Sequence, residues 1–269
     1  MAVFTCAEMV EACLAGQDSG WKHFLLEYLP FAALLVERHY PQLNLRRETV
    51  LREVLLRARD QEAQFFREYQ GHGEREFVLH LREHVLRVLE EAAPETPAPE
   101  IRLTWEEFER AFAPLTALER QAVWMFVLNP RADDIALMLR ADQPSVDAIL
   151  SRAQERLRAS ADHWSATMLA ENGHLLSREP SARRTNECPD GRTFLRLLDG
   201  QNTWRERLDL ERHLAACWYC VDVLCRFREV YRLRQLARPL SEAEAEPYAR
   251  TIGLTFPSPA RWKRLLGVE

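Results

Sequence analysis

Six cysteines are present in 269 residues, and four of them, Cys188, Cys217, Cys220 and Cys225, fall in the last third with His213 among them. Six is too few for a disulfide scaffold in a chain of this length, so thiols or metal ligands are expected. Zinc prefers four nitrogen and sulfur ligands in a tetrahedron, and two thiolates separated by two residues hold one ion without strain. The run from His213 through Cys217 to Cys220 has that spacing. On a continuous helix, Cys217 would stand about 40° and Cys220 about 340° round from His213, all on one side. A turn before Cys217 would also let Cys220 close on His213. Either way Cys225 points about 140° from Cys220, which makes Cys188 the better fourth ligand. Without an ion these residues would be buried thiols beside a packed histidine, a common fate of free cysteine. With one, binding would be part of the folding free energy of a lobe that has little core, and oxidised thiols would release it.

Other residues invite chemistry less. His80-Leu-Arg-Glu83-His84 has the form of an inverted zinc-peptidase motif, two histidines one turn apart with Glu83 as a base. That site needs a further ligand from a larger catalytic fold, so a solvated helix face is the expected reading. No glycine-rich phosphate loop or nucleophile elbow occurs, and the chain is not expected to be an enzyme. Cys6 and Cys13, seven apart, share a helix face and read as structural. Trp204, Trp218 and Tyr219 would serve a partner surface or, more often, a core.

The elements that must position these residues are helices. Composition is 47% hydrophobic and 29% charged with only 9 glycines, which fits a folded chain, and Leu, Ala, Glu and Arg recur at three- and four-residue spacing where alternating β-branched runs are missing. WKHFLLEYLPFAALLVERHY, ETVLREVLLRARDQEAQFFREY and EREFVLHLREHVLRVLEE each carry one apolar stripe, as a helical bundle requires. Two capping boxes, Thr104 with Glu107 and Thr116 with Glu119, mark helix starts. NPRADDIALMLR, a turn at residues 141–143 and PSVDAILSRAQERLR, with Pro144 suited to a first turn, follow as short helix, turn, longer helix. Polar or proline-rich stretches near 91–100 and 177–192 read as linkers. The basic amphipathic FREVYRLRQLARPL would clamp another domain or cover the cysteine lobe.

The net charge of -5 is uneven: residues 1–100 have six more acidic than basic groups, 101–177 three more, and 178–269 four more basic than acidic. Tight unaided binding to DNA is not expected from such a field, and any DNA contact would be local or assisted. No apolar run approaches the eighteen or so residues of a membrane span. The start, MAVFTCAEMVEACLAG, lacks a basic n-region, so a cytoplasmic address without membrane partners is the expectation.

ETVLREVLLRA and FREYQGHGEREFVLHLREHVL resemble the second conserved region of extracytoplasmic-function sigma factors. LTALERQAVWMFVLNPRADDIALMLRADQPSVDAILSRAQERLR resembles their fourth, and the likeness spans roughly residues 20 to 160. CPDGRTFLRLLDGQNTWRERLDLERHLAACWYC is similar to the zinc-binding anti-sigma domain, with Cys188, His213, Cys217 and Cys220 on its ligand positions. The resemblance implies a first domain that binds RNA polymerase core, here through Glu48, Arg52 and Glu53, and opens promoter DNA. It implies a second that lays its last helix in the major groove, where Ser145, Ser151, Arg152 and Arg156 would meet DNA. Guanidinium and a helix N-terminus both suit phosphates, and Arg also reads guanine. The chain departs from the family early in that helix, with Asp147 and Ile149 where basic residues are usual. In the first domain His80 replaces the usual aromatic, and LEEAAP stands where a basic helix end is usual.

The expected architecture is all-α: a region-two-like bundle over 1–92, a linker over 93–102 and a region-four-like helix-turn-helix over 103–162. A linker over 163–187, a zinc-binding anti-sigma-like domain over 188–238 and a tail over 239–269 complete it. The expected function is a sigma-factor-like transcription-initiation regulator of polymerase core and promoter DNA, gated by its own zinc module. The alternative, motivated by Asp147, Ile149 and the acidic first domain, is an interaction protein whose zinc module binds a separate sigma factor or sensor.

Overall fold

In a computed structural model, residues 4–40, 43, 46–71, 73–92, 102–128, 132–160 and 166–256 are described. The proline-rich stretch around 93–101 and the tail beyond 256 lie outside them. The described residues are all-α, with thirteen α-helices, one short 3-10 helix and no strand. No described helix is long and apolar enough to cross a membrane. The chain forms two compact units, Met1–Pro94 with Leu233–Glu269, and Glu95–Arg232.

The first unit packs α1 (Cys6–Leu14), α2 (Asp18–His39), α3 (Arg47–Glu68) and α4 (Glu74–Ala92), with α13 (Glu242–Thr251) against α2 and α3. Its core is aromatic: Trp21, Phe24, Phe66 and Phe77 are all within 2% of full burial and meet edge-on or stacked. Cys13 is buried and Cys6 half-buried on one face of α1, and burial pushes the Cys6 thiol up to about 11. Pro30 inside α2 has no N–H, which strips Leu26 of its i→i−4 partner. The Leu240 amide, from the chain just before α13, donates to the Leu26 carbonyl at 2.9 Å. Beside it Arg234 meets Glu74 at 2.8 Å and Glu27 at 3.3 Å and lies over the Tyr28 ring. The C-terminal segment is thus hydrogen-bonded into a gap that a proline opened.

His80-Leu-Arg-Glu83-His84 corrects the expectation of a solvated face. His84 is buried with its Nε2 3.1 Å from the Val54 carbonyl, and His80 Nε2 lies 2.8 Å from that of Phe65. Arg82 between them is 2% exposed. The motif lies against α3 because Phe65 packs on both imidazoles.

The second unit contains α5 (Trp105–Phe112), α6 (Ala117–Leu128), α7 (Ala132–Leu139), α8 (Gln143–Ser160), α9 (Ala166–Leu176), α10 (Gly191–Leu198), α11 (Trp204–Leu214) and all but the end of α12 (Trp218–Leu236). Both expected capping boxes form: Glu107 accepts from the Thr104 amide and Glu119 from that of Thr116, each at 2.9 Å. Arg140 takes a left-handed φ of 56° in the turn after α7, and Asp142 caps α8 by accepting from the Ser145 amide at 2.8 Å. Val146, Ile149 and Ala153 of α8 face inward, while Ser145, Asp147, Ala148, Ser151, Arg152 and Glu155 are exposed. The Leu157 side chain lies outside the described set.

Candidate metal centre

Local signals place each ligand at the edge of a helix. Cys188 precedes α10, whose cap Asp190 accepts from the Thr193 amide at 3.0 Å. At the end of α10, Gly200 takes a φ of +70°, a conformation that costs a residue without Cβ little, and turns the chain toward α11. Thr203 and Glu206 form a capping box at the start of α11, and His213 lies in its last turn. The helix ends there, and the Cys217 amide donates to the His213 carbonyl at 2.9 Å. Of the two geometries open from spacing, the chain adopts the turn. Cys217 directly precedes α12, and Cys220 lies in that helix's first turn.

The four ligand atoms of Cys188, His213, Cys217 and Cys220 all lie within 4.8 Å of one another. For metal–sulfur bonds of about 2.3 Å a tetrahedral S–S edge is about 3.8 Å. The Cys188 and Cys217 sulfurs are 3.7 Å apart. His213 Nε2 lies 3.1 Å from Cys220 Sγ, a little under the mixed edge of about 3.6 Å expected from the same bond lengths. These residues fit one tetrahedral ion and could hold a metal. Cys225 is fully turned away, donating to the Gln121 carbonyl at 3.7 Å.

The electrostatics favour a thiolate at one position. Cys217 is held down to about 5, chiefly by the hydrogen bond from the Cys220 thiol, with the Cys220 amide and Cys188 adding to it. Cys220 is pushed up by the same contact, because it keeps the shared proton. A divalent ion would take that proton's place. Thr185, absent from the sequence reading, supports Cys188: its amide lies 3.3 Å and its hydroxyl 3.4 Å from the sulfur.

Behind the ligands lies an aromatic core shared with the central helices. Trp218, between Cys217 and Tyr219, is 2% exposed, with ring centroids 5.0 Å from Phe108, 5.8 Å from Trp124 and 5.9 Å from Phe112. The Arg120 guanidinium stands 4.7 Å over the Trp218 ring and donates to the Ala113 and Leu115 carbonyls. Trp124 Nε1 donates to Asp222 of α12 at 2.9 Å, and Arg226 pairs with the same carboxylate at 2.7 Å. Trp204 is 77% exposed and Tyr219 half-buried. The basic run in α12 covers no single face: Arg228 bonds the Met138 carbonyl in this unit, while Arg234 belongs to the first.

The charged residues among the other expected contacts have internal partners. On α8, Arg156 lies 3.2 Å and Arg152 3.7 Å from Glu119, which is 3% exposed, and Arg156 also donates to the Pro114 carbonyl. Ser145 and Ser151 are exposed on the same helix. In the first unit, Glu48 pairs with Arg52 and Glu53 with Arg57 along the outer face of α3. Tyr248 of α13 lies close enough to Glu48, Arg47 and Arg52 to feel their charge. The capping role of Glu119 was legible in Thr116-x-x-Glu119; its pairing with two arginines more than thirty residues on has no local signal. No protein family, curated protein or solved structure matches this chain.

Proposed function

We propose that the chain is a sigma-factor-like regulator of transcription initiation in which a zinc ion at Cys188, His213, Cys217 and Cys220 gates the DNA-reading hairpin α7–α8. In this reading α8 meets promoter DNA through Ser145, Ser151, Arg152 and Arg156, and the first bundle meets RNA polymerase core through Glu48, Arg52 and Glu53. A cytoplasmic address goes with it. The observation that carries the gating is the position of Trp218: one residue after a ligand, it is buried against the helices that support α8. Zinc fits the donor set, since thiolate and imidazole in a closed tetrahedron are its structural ligands. An ion that fixes Cys217 and Cys220 also fixes the start of α12, and with it the wall on which α5 and α6 rest. Gating requires different contacts in the two states. The pairing of Arg152 and Arg156 with Glu119 supplies one such difference, because these guanidiniums must leave a buried carboxylate before they take phosphates.

The test is run-off transcription and core-polymerase capture with the full chain, zinc-loaded and chelator-stripped. The expected result is capture in at least one state and initiation that changes with the metal. Absence of core capture and of promoter binding in both states overturns the reading. The same pairing, with Asp147 exposed beside it, favours a second reading, an interaction protein that binds a separate sigma factor or sensor. Metal-dependent capture of such a partner, with no affinity for core or promoter, would select it.

A further inference from the structure

The second unit carries a cleft of about 650 Å³ between α6–α7 and α10–α12, apart from the four metal ligands. Its apolar wall is built from Leu118, Leu139, Leu197, Leu210, Leu214 and Leu224. Leu118 is 47% exposed there, an apolar surface left in water. Three guanidiniums, Arg140, Arg207 and Arg228, line the same cleft against a single acid, Glu211. None of the three is ion-paired among the described residues: Arg228 donates to the Met138 carbonyl, Arg140 reaches the Leu198 carbonyl at 3.4 Å and lies over Tyr231, and the Arg207 side chain is exposed without a partner.

Two further polar atoms are unspent. Gln121, only 6% exposed, uses its Nε2 on the Ala117 carbonyl but leaves Oε1 buried without a partner, and Arg228 Nε is likewise buried and unbonded. Neither atom is exposed at the cleft surface, so what the wall offers a ligand is its leucines and its positive charge. Burial above all pushes the Arg228 guanidinium down from its ordinary value, with the neighbouring Arg140 adding to it and the Cys225 thiol opposing it.

We propose that this cleft binds a small amphipathic carboxylate, its alkyl body on the leucine wall and its head group on Arg228, Arg140 and Arg207. Guanidinium forks match a carboxylate in two parallel hydrogen bonds, and a cleft of this size with a leucine wall beside convergent cationic groups suits a ligand that is itself half apolar and half charged. The occupant would touch both the helices before α8 and the helices that present His213 and Cys217, so it would brace the metal lobe against the hairpin. The site does not depend on the sigma-like reading and stands or falls by ligand binding alone.

Isothermal titration of the full, zinc-loaded chain with decanoate, decanol and decylammonium tests it. Saturable binding of decanoate at one site is expected, with decanol and decylammonium much weaker. Arg207→Glu and Leu118→Glu change exposed side chains and preserve the fold, as circular dichroism and metal content verify. Each should weaken decanoate at least tenfold, about 1.4 kcal/mol. No saturable binding, equal affinity for the three head groups, or unchanged affinity in both variants overturns the proposal.

Discussion

Trp218→Ala is the sharpest perturbation of the link between the ligands and the central helices. The side chain is 2% exposed and surrounded by Trp105, Phe108, Phe112 and Trp124, with Arg120 on its face. Truncating a buried Trp costs about 3 to 5 kcal/mol through lost transfer energy and the cavity left behind. Losing a desolvated cation–π contact adds about 1 kcal/mol or more. A total near 5 kcal/mol is a large share of the roughly 5 to 15 kcal/mol that holds a domain together. Once the metal-free unit begins to unfold, unfolding competes with binding, and every further 1.4 kcal/mol or so weakens apparent metal affinity tenfold. Competition against a chromophoric chelator should therefore show at least tenfold weaker binding, and hydrogen exchange should show lost protection in α6 and α8, far from the ligands in sequence. Trp204→Ala, at a side chain 77% exposed, is the control and should change stability by less than about 0.5 kcal/mol. Wild-type affinity and wild-type protection in Trp218→Ala would refute the shared-core argument.

Cys188→Ser should lower metal content or affinity sharply, whereas Cys225→Ser should keep one ion per chain, since its sulfur faces the Gln121 carbonyl; metal analysis of the purified variants decides. Burial above all, with Arg87, His80 and Arg57 adding to it, pulls His84 below its ordinary value, while its Val54 bond pulls the other way. Above about pH 6.5 the imidazole is neutral folded and unfolded, so it costs nothing. As pH falls through that value the unfolded chain takes the proton first, and stability drops until the folded state protonates too. Denaturant midpoints should fall between about pH 7.5 and 5.5, and His84→Gln, which can still donate to Val54, should flatten that interval. Glu119→Gln should weaken the start of α6 by about 1 kcal/mol while releasing Arg152 and Arg156. Under the sigma-like reading it should strengthen binding to promoter DNA and steepen its salt dependence by up to about two phosphate contacts; unchanged binding would count against α8 as the reading helix.

What was legible from the chain alone is what neighbours decide. Helix starts at Thr104 and Thr116 follow from a hydroxyl and a carboxylate three residues apart, and the ligand triplet His213, Cys217, Cys220 follows from spacing, because both are satisfied within a few residues. The all-α class follows in the same way from apolar periodicity. Periodicity says that a face is buried but not against what. Only the tertiary structure decided that His84 caps a carbonyl of α3, that Leu240 fills the gap above Pro30, and that Trp218 joins the metal lobe to α5 and α6. Those pairings join residues 30 to more than 200 positions apart. They are settled by shape and by which buried polar group finds its partner, quantities that no local window of sequence contains.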